Sequence, residues 1–217
     1  MKCFYSTVVL WITLNFDNDC SNQMTGVPMP TVFTHPAIPL AIGLGLGKDV
    51  IPTPLLISGI AVSVLPDLDV LAFRYGISYA SNFGHRGFSH SLLFALILAL
   101  LGACAFRYFQ TSFRRAFLFL FLAAVSHGIL DAFTNGGLGI AFLWPLSTER
   151  FFAPMQVIQV SPIGISRFLS LLGVSVLISE IIWVWIPCLM IGFGLYAMKG
   201  KLAVTFGWLS HCRRYLG

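Results

Sequence analysis

Charged residues are scarce in this chain. Only eight of its 217 residues are acidic, and acidic and basic residues together make up 10% of the sequence. Soluble domains carry about 25% charged residues, so the composition argues against an ordinary soluble protein. Nucleic-acid binding is also disfavoured, because the net charge of +5 is not gathered on one face of a soluble segment.

Paired cysteine motifs and nucleotide-binding loops are missing as well. No two cysteines form a Cys-x-x-Cys pair, which argues against a disulfide framework. Gly43, Gly45 and Gly47 lie close together but lack the basic residue of a P-loop. These glycines instead predict close packing between membrane helices.

Apolar sequence, by contrast, is abundant. Hydrophobic residues make up 57% of the chain, and the mean hydropathy is +0.86. The first three of four apolar runs are shorter than the roughly 20 residues that cross a bilayer, so they span only if their helices continue into neighbouring polar residues. We predict an all-α, polytopic membrane bundle with about four transmembrane helices. The runs are Pro54–Leu65, Ser91–Phe106, Ala116–Leu130 and Phe168–Met198.

The two ends of the chain differ from its apolar middle. A short apolar run at Phe4–Leu14 precedes a polar stretch, and Met29 provides a second possible start. We therefore predict that residues 1–28 are either an extension upstream of the natural start or a signal anchor. Residues 29–198 are predicted to form one membrane-embedded domain, and residues 199–217 a basic C-terminal tail.

The few ionisable residues are concentrated in three short clusters at the ends of apolar runs. Such groups are costly at the edge of a membrane core and therefore indicate function. Imidazole and carboxylate are also the usual ligands of zinc and related divalent metals. The clusters are Pro66-Asp67-Leu68-Asp69, His85-Arg86-Gly87-Phe88-Ser89-His90 and His127-Gly128-Ile129-Leu130-Asp131.

Two of the clusters have a spacing that suits a metal. His127 and Asp131 are four residues apart, so on a helix they share a face. Asp67 and Asp69 alternate with a leucine, and in extended backbone both side chains would point the same way. The alternatives are a capped helix end for the first pair and a simple turn for the second.

The remaining cluster combines two histidines with an arginine. His85 and His90 are five residues apart, which fits one ligand in a loop and one in the first helical turn. Arg86 would lie beside the metal, where a guanidinium is well shaped to hold phosphate or carboxylate oxygens. The alternative is an interfacial loop whose arginine extends its charged end to water.

Two further ionisable residues stand alone. His35 precedes Pro36 in an apolar segment, and it is either a ligand or a structural histidine. Glu180 lies inside the last apolar run, where it either handles a proton or bonds a hydroxyl of another helix.

Positive charge predicts the orientation of the bundle. If the linker containing Arg107, Arg114 and Arg115 is cytoplasmic, all three clusters meet at the opposite, periplasmic end. The alternative, a cytoplasmic site, follows if one of the short runs does not span.

The clusters also carry a resemblance to a known family. His35-Pro36, Leu65-Pro66-Asp67-Leu68-Asp69, His85-Arg86-Gly87-Phe88-Ser89-His90-Ser91 and Ser126-His127-Gly128-Ile129-Leu130-Asp131 resemble the motifs of the YdjM-like, LexA-associated bacterial inner-membrane proteins. That family has threonine in place of Ser89, a change that keeps the hydroxyl. The resemblance covers about residues 29–187. It implies a metal-dependent hydrolase in the inner membrane, similar to the helical zinc phospholipase C group.

Together these observations predict a membrane-bound hydrolase that uses a metal-activated water on a phosphoester or lipid-linked substrate. One or two divalent ions, zinc first among them, would bind, and the partners would be the bilayer and the substrate rather than nucleic acid. We assign Arg86 and Asp69 to catalysis. A metal-stabilised scaffold and a transporter are the alternatives. The predicted metal ligands are His35, Asp67, Asp69, His85, His90, His127 and Asp131.

Overall fold

The computed structural model describes residues 31–160 and 171–199, which form a helical bundle. No strand occurs in these ranges, where the only β-type pairing is two isolated bridges. The predicted all-α membrane bundle is confirmed, whereas residues 1–28 and nearly all of the predicted tail lie outside the described residues. The helices are α1 (Ala37–Leu46), α2 (Thr53–Val64), α3 (Leu92–Ala103), α4 (Phe113–Ala132) and α5 (Leu171–Lys199).

Three helical segments are long and apolar enough to cross a membrane: Thr53–Tyr75, Phe113–Ala132 and Leu171–Lys199. The second predicted run, Ser91–Phe106, forms only α3, which has 12 residues. At 1.5 Å per residue this helix is about 18 Å long, well short of the hydrocarbon core. The described part of the chain therefore contains three candidate spans and two shorter apolar helices, α1 and α3.

A change of helix type follows α2. The chain continues from Leu65 to Tyr75 as a 3₁₀ helix, with Pro66 at its second position. Proline has no N–H to donate and its ring clashes with the preceding helical turn, so it disfavours a continuing α-helix. The extended backbone expected around Asp67 and Asp69 is therefore wrong. In the 3₁₀ helix the two carboxylates point to different neighbours.

Small residues pack the helices together. The buried positions of α3 are Ala95, Ala99 and Ala103, which repeat every fourth residue and so form one face. The expected close packing at the glycine-rich segment is also observed, because a Cβ on Gly45 would lie 2.6 Å from the backbone oxygen of Gly192 in α5. Such small-residue contacts let membrane helices approach closely.

A π-helical turn interrupts α5. It covers Ile181–Trp185, directly after Glu180 and just before Pro187. Proline removes one backbone donor from the turn that precedes it, and π turns are a common way to accommodate such a break. The irregularity in α5 thus lies in the turn that precedes Pro187.

The bundle has two ends, which differ in their polar contacts. The loop after α1 contacts the end of α5 through an ion pair of 2.9 Å between Asp49 and Lys199. At the other end of the bundle, the segments that precede α1 and α3 meet those that end α2 and α4. All three polar clusters lie at this second end.

The glycine contact generates a stability prediction. Gly45→Ala should lower the free energy of unfolding by about 1–3 kcal/mol, because the added methyl group overpacks the contact with Gly192. Gly194→Ala is the matched control on α5, since a Cβ there has no heavy atom within 4 Å. Denaturant titration in detergent measures both variants. Equal effects of the two substitutions would contradict close packing of α1 on α5.

Candidate metal centre

All seven predicted ligands lie at the polar end of the bundle. Asp67 follows α2, His90 precedes α3, and His127 and Asp131 lie in the last turns of α4. These four residues each offer a ligand atom, and the four atoms lie within 4.8 Å of one another. Residues from three parts of the chain therefore form one group that could hold a metal ion.

The separations within this group match those around a small ion. The Nε2 atom of His127 lies 3.4 Å from Asp67 Oδ1, and the Nε2 atom of His90 lies 3.4 Å from Asp131 Oδ2. Tetrahedral ligands at zinc distances are separated by about 3.3 Å. The oxygen and nitrogen atoms thus already have nearly the spacing that a bound zinc ion requires.

The tautomers of His90 and His127 are defined by their partners. His127 Nδ1 lies 2.8 Å from the carbonyl oxygen of Ser63, so this nitrogen must carry the proton and donate it. His90 Nδ1 lies 2.9 Å from the hydroxyl oxygen of Ser89, which donates its own hydrogen to Asp69, so this nitrogen also donates. In neutral rings both Nε2 atoms then hold lone pairs, yet they face each other at 2.9 Å. A cation or an extra proton must lie between them.

Unpartnered buried atoms favour a metal ion over a proton. The carboxylates of the cluster raise the pKa of His90 well above its usual range, against the opposing effect of burial, so an imidazolium is one solution. However, Asp67 Oδ1 and Asp131 Oδ1 are buried without a hydrogen-bond partner. Buried polar atoms are rarely left unsatisfied, and a metal ion would satisfy these oxygens together with the paired imidazoles.

Asp69 belongs to a second group, with His85 and His90. Its carboxylate is already well supplied with donors: His85 Nδ1 lies 2.6 Å from Oδ1, and the Ser89 hydroxyl donates to Oδ2 over 2.5 Å. The backbone N–H of Arg86 donates to Oδ2 as well. Asp69 therefore orients the imidazole ring of His85 directly and that of His90 through the Ser89 hydroxyl, as carboxylates behind metal-bound histidines do.

Arg86 lies behind Asp131. Its side chain is fully buried, and its Nε donates to Asp131 Oδ2 over 3.0 Å. The two terminal nitrogens donate to Gly136 O and to the hydroxyl of Thr134. The φ angle of Arg86 is 63°, an uncommon value for a residue other than glycine. These contacts favour a role in fixing the Asp131 carboxylate.

His35 is held without a hydrogen bond. Its ring stacks on that of His127 at a centroid distance of 3.8 Å, and both of its nitrogens are buried and unpartnered. Its Nε2 lies 3.4 Å from Asp67 Oδ2 and 3.7 Å from Asp131 Oδ1. Burial, assisted by His127, lowers the pKa of His35 to about 4, so the ring is neutral at neutral pH and offers one nitrogen lone pair.

Arg150 is a supporting residue that the sequence pattern does not reveal. Arg150 donates to the backbone oxygens of Tyr79, Ser81 and His85, over 3.3, 3.0 and 3.0 Å respectively. It thereby holds the loop that presents His85 and Arg86 to the cluster. An arginine in a polar segment was the only signal in the sequence, and it did not distinguish Arg150 from any surface arginine.

The buried contacts of Arg86 lead to a stability prediction. Arg86→Ala should lower the free energy of unfolding by about 3–5 kcal/mol, because it leaves Asp131 as an uncompensated buried charge. Arg86→Lys keeps the charge but not the geometry of the three donors, and should give a smaller loss. Arg114 is exposed on α4, so Arg114→Ala serves as the control and should change stability by less than about 0.5 kcal/mol. If Arg86→Ala resembles the control in a denaturant titration, the buried network does not stabilise the fold.

Comparisons with known proteins agree with the resemblance found in the sequence. The sequence model of the YdjM inner membrane protein family matches residues 29–203. The inner membrane protein YbcI of Escherichia coli (strain K12) is 52% identical over 166 residues, which cover 75% of this chain and 95% of that relative. No solved structure matches the chain. The chain therefore belongs to the YdjM family of inner membrane proteins.

Proposed function

We propose that this inner membrane protein is a metal-dependent hydrolase whose divalent ion binds among Asp67, His90, His127 and Asp131. The observation that carries the proposal is the contact of 2.9 Å between two Nε2 atoms whose rings both donate through Nδ1. Zinc is the first candidate, because the donor set is imidazole plus carboxylate. A bound ion of this kind would lower the pKa of a coordinated water and supply hydroxide near neutral pH.

The roles of the surrounding residues follow from their contacts. Asp67 is the most exposed member of the group, with 11% of its side chain accessible, so water and substrate would approach on its side. His35 has free nitrogens next to Asp67 and is either a further ligand or the group that accepts a proton from water. We place Asp69 and Arg86 behind the ligands, where they hold His85, His90 and Asp131 in position.

A single ion accounts for the geometry better than two. The second group shares His90 with the first, and the oxygens of its Asp69 already accept hydrogen bonds from protein donors. The substrate is proposed to be a phosphoester on a lipid or lipid-linked molecule. This substrate class is supported by the resemblance described above and by the membrane setting of the site.

A metal-stabilised scaffold is the alternative. Its support is burial, because His90, His127 and Asp131 are at most 5% exposed, and a closed site without exchangeable water performs no hydrolysis. A transporter would need a polar path through the bundle, for which Glu180 is the candidate residue in α5. This carboxylate instead contacts Thr31, at the same end of the bundle as the proposed ligands.

Metal binding can be tested with single substitutions. Detergent-purified protein should bind about one equivalent of zinc, and His127→Ala or Asp131→Ala should weaken binding by more than the roughly 10–100-fold expected for loss of an outer-shell partner. Asp49→Ala, at the opposite end of the bundle, is the control. Elemental analysis and competition with a chromophoric chelator measure the effect. Undiminished zinc in both ligand variants would rule out this site.

Hydrolysis needs its own readout. In a screen of phosphoester substrates, the zinc-loaded protein should show turnover that is abolished by chelation and by His127→Ala. Zinc binding without turnover of any phosphoester in the screen would favour the scaffold.

Orientation is part of the proposal, with the site facing the periplasm. The short α3 does not decide this, because α4 alone is long enough to separate Arg114 and Arg115 at its start from the site at its end. In a background without native cysteines, Leu146→Cys should react with an impermeant thiol reagent added to intact cells, because Leu146 is 92% exposed at the site end. Gln110→Cys, in the exposed linker between α3 and α4, should react only after the membrane is permeabilised. The reverse labelling pattern would place the site in the cytoplasm.

A further inference from the structure

Glu180 makes a long-range contact that the proposed metal site does not use directly. The residue is 1% exposed on α5, and both of its carboxylate oxygens accept hydrogen bonds from Thr31. The Thr31 N–H donates to Oε1 over 2.8 Å, and the Thr31 hydroxyl donates to Oε2 over 2.6 Å. A buried acid in a membrane helix is costly, so this contact between residues 149 positions apart indicates a specific role.

The contact anchors the segment that carries His35. Thr31 accepts a backbone hydrogen bond from Thr34, and Thr34 accepts one from Ala37, so two successive turns connect the anchor to α1. His35 lies inside these turns. Because its ring has no hydrogen bond to the protein, its position depends on the backbone and on stacking against His127.

The next part of α5 supports the same segment from the other side. Val184 lies in the π turn that directly follows Glu180, and Cys188 lies one turn beyond it. Both pack in one apolar cluster with Ala37, the first residue of α1. A π turn displaces the side chains that follow it relative to a regular α-helix. The polar anchor and the apolar cluster of α5 thus flank the turns around His35.

We propose that Glu180 is a positioning residue that holds His35 against the metal site through Thr31. The inference rests on the proposed function only for its consequence, which is tighter metal binding. The placement of His35 by Glu180 is independent of any metal.

Placement is tested by chemical modification of histidine. In the native protein His35 is fully buried and should resist diethylpyrocarbonate, with the modified sites located by mass spectrometry. Glu180→Ala should make His35 reactive, whereas His85, which is equally buried and is held by Asp69, should stay protected and so report that the bundle remains folded. Glu180→Gln can still accept from the Thr31 N–H and donate to its hydroxyl, so it should keep His35 protected. Protection of His35 in Glu180→Ala would overturn the proposal.

The consequence for metal is tested by a double-mutant cycle. Glu180→Ala should weaken zinc binding by about 10–100-fold, as expected for an outer-shell partner, and should have no further effect in a His35→Ala background. Glu180→Gln should stay near the native affinity, and so should the control Ser175→Ala on an exposed part of the same helix. If Glu180→Ala weakens zinc binding equally in the native and the His35→Ala backgrounds, Glu180 does not act through His35. It would then be a structural residue, and the proposal would be overturned. Absence of zinc binding in the native protein would reject the proposed function, while the modification experiment would still decide the placement of His35.

Discussion

The approach of two imidazole nitrogens to 2.9 Å is the contact on which this end of the bundle depends. His127 belongs to α4, and its other nitrogen is held by the carbonyl of Ser63 in α2. His90 precedes α3, and its other nitrogen is held by the hydroxyl of Ser89, which in turn donates to Asp69 after α2. The pair therefore joins three helices, and it is repulsive unless a cation or a proton lies between the rings. Folding and ligand binding are coupled at such a site.

Polar contacts, rather than regular secondary structure, organise the chain around this pair. The loop that precedes α3 is fastened by Arg150 at three carbonyl oxygens and by Arg86 at Asp131, Thr134 and Gly136. Water is scarce at the boundary of an apolar bundle, so an unpaired polar group there is costly. Each buried arginine or carboxylate consequently has partners from a distant part of the chain. Among the described residues, the buried side-chain atoms without a hydrogen-bond partner are Asp67 Oδ1, Asp131 Oδ1, both nitrogens of His35, His85 Nε2 and Thr34 Oγ1.

Whether the protein is an enzyme or a scaffold depends on whether water and substrate can reach the proposed ion. The imidazoles are enclosed, whereas the side chain of Asp67 remains 11% exposed, and His35 has unoccupied nitrogens beside it. Catalytic zinc sites keep one position open for water, and structural sites close it. The proposed site is open on the Asp67 side and closed on the Asp131 side. This difference favours a catalytic ion over a purely structural one. Glu180, through Thr31, then affects how far His35 closes that open side.

The sequence alone determined that the protein is a helical membrane protein and that its His and Asp residues cluster at one end of the bundle. Both inferences follow from hydropathy and from the direction of each helix, which are local properties of the chain. His127 and Asp131 were paired correctly because four residues make about one turn of α4. Tertiary structure decided the rest. Pro66 turned the expected extended pair into a 3₁₀ helix, in which Asp67 lies near His35 and His127, Asp69 lies near His85, and His90 lies near both. The partners of Arg86 and Glu180 are Asp131 and Thr31, which lie 45 and 149 residues away in the sequence. The energies of such contacts depend on burial and distance, and a linear pattern contains neither.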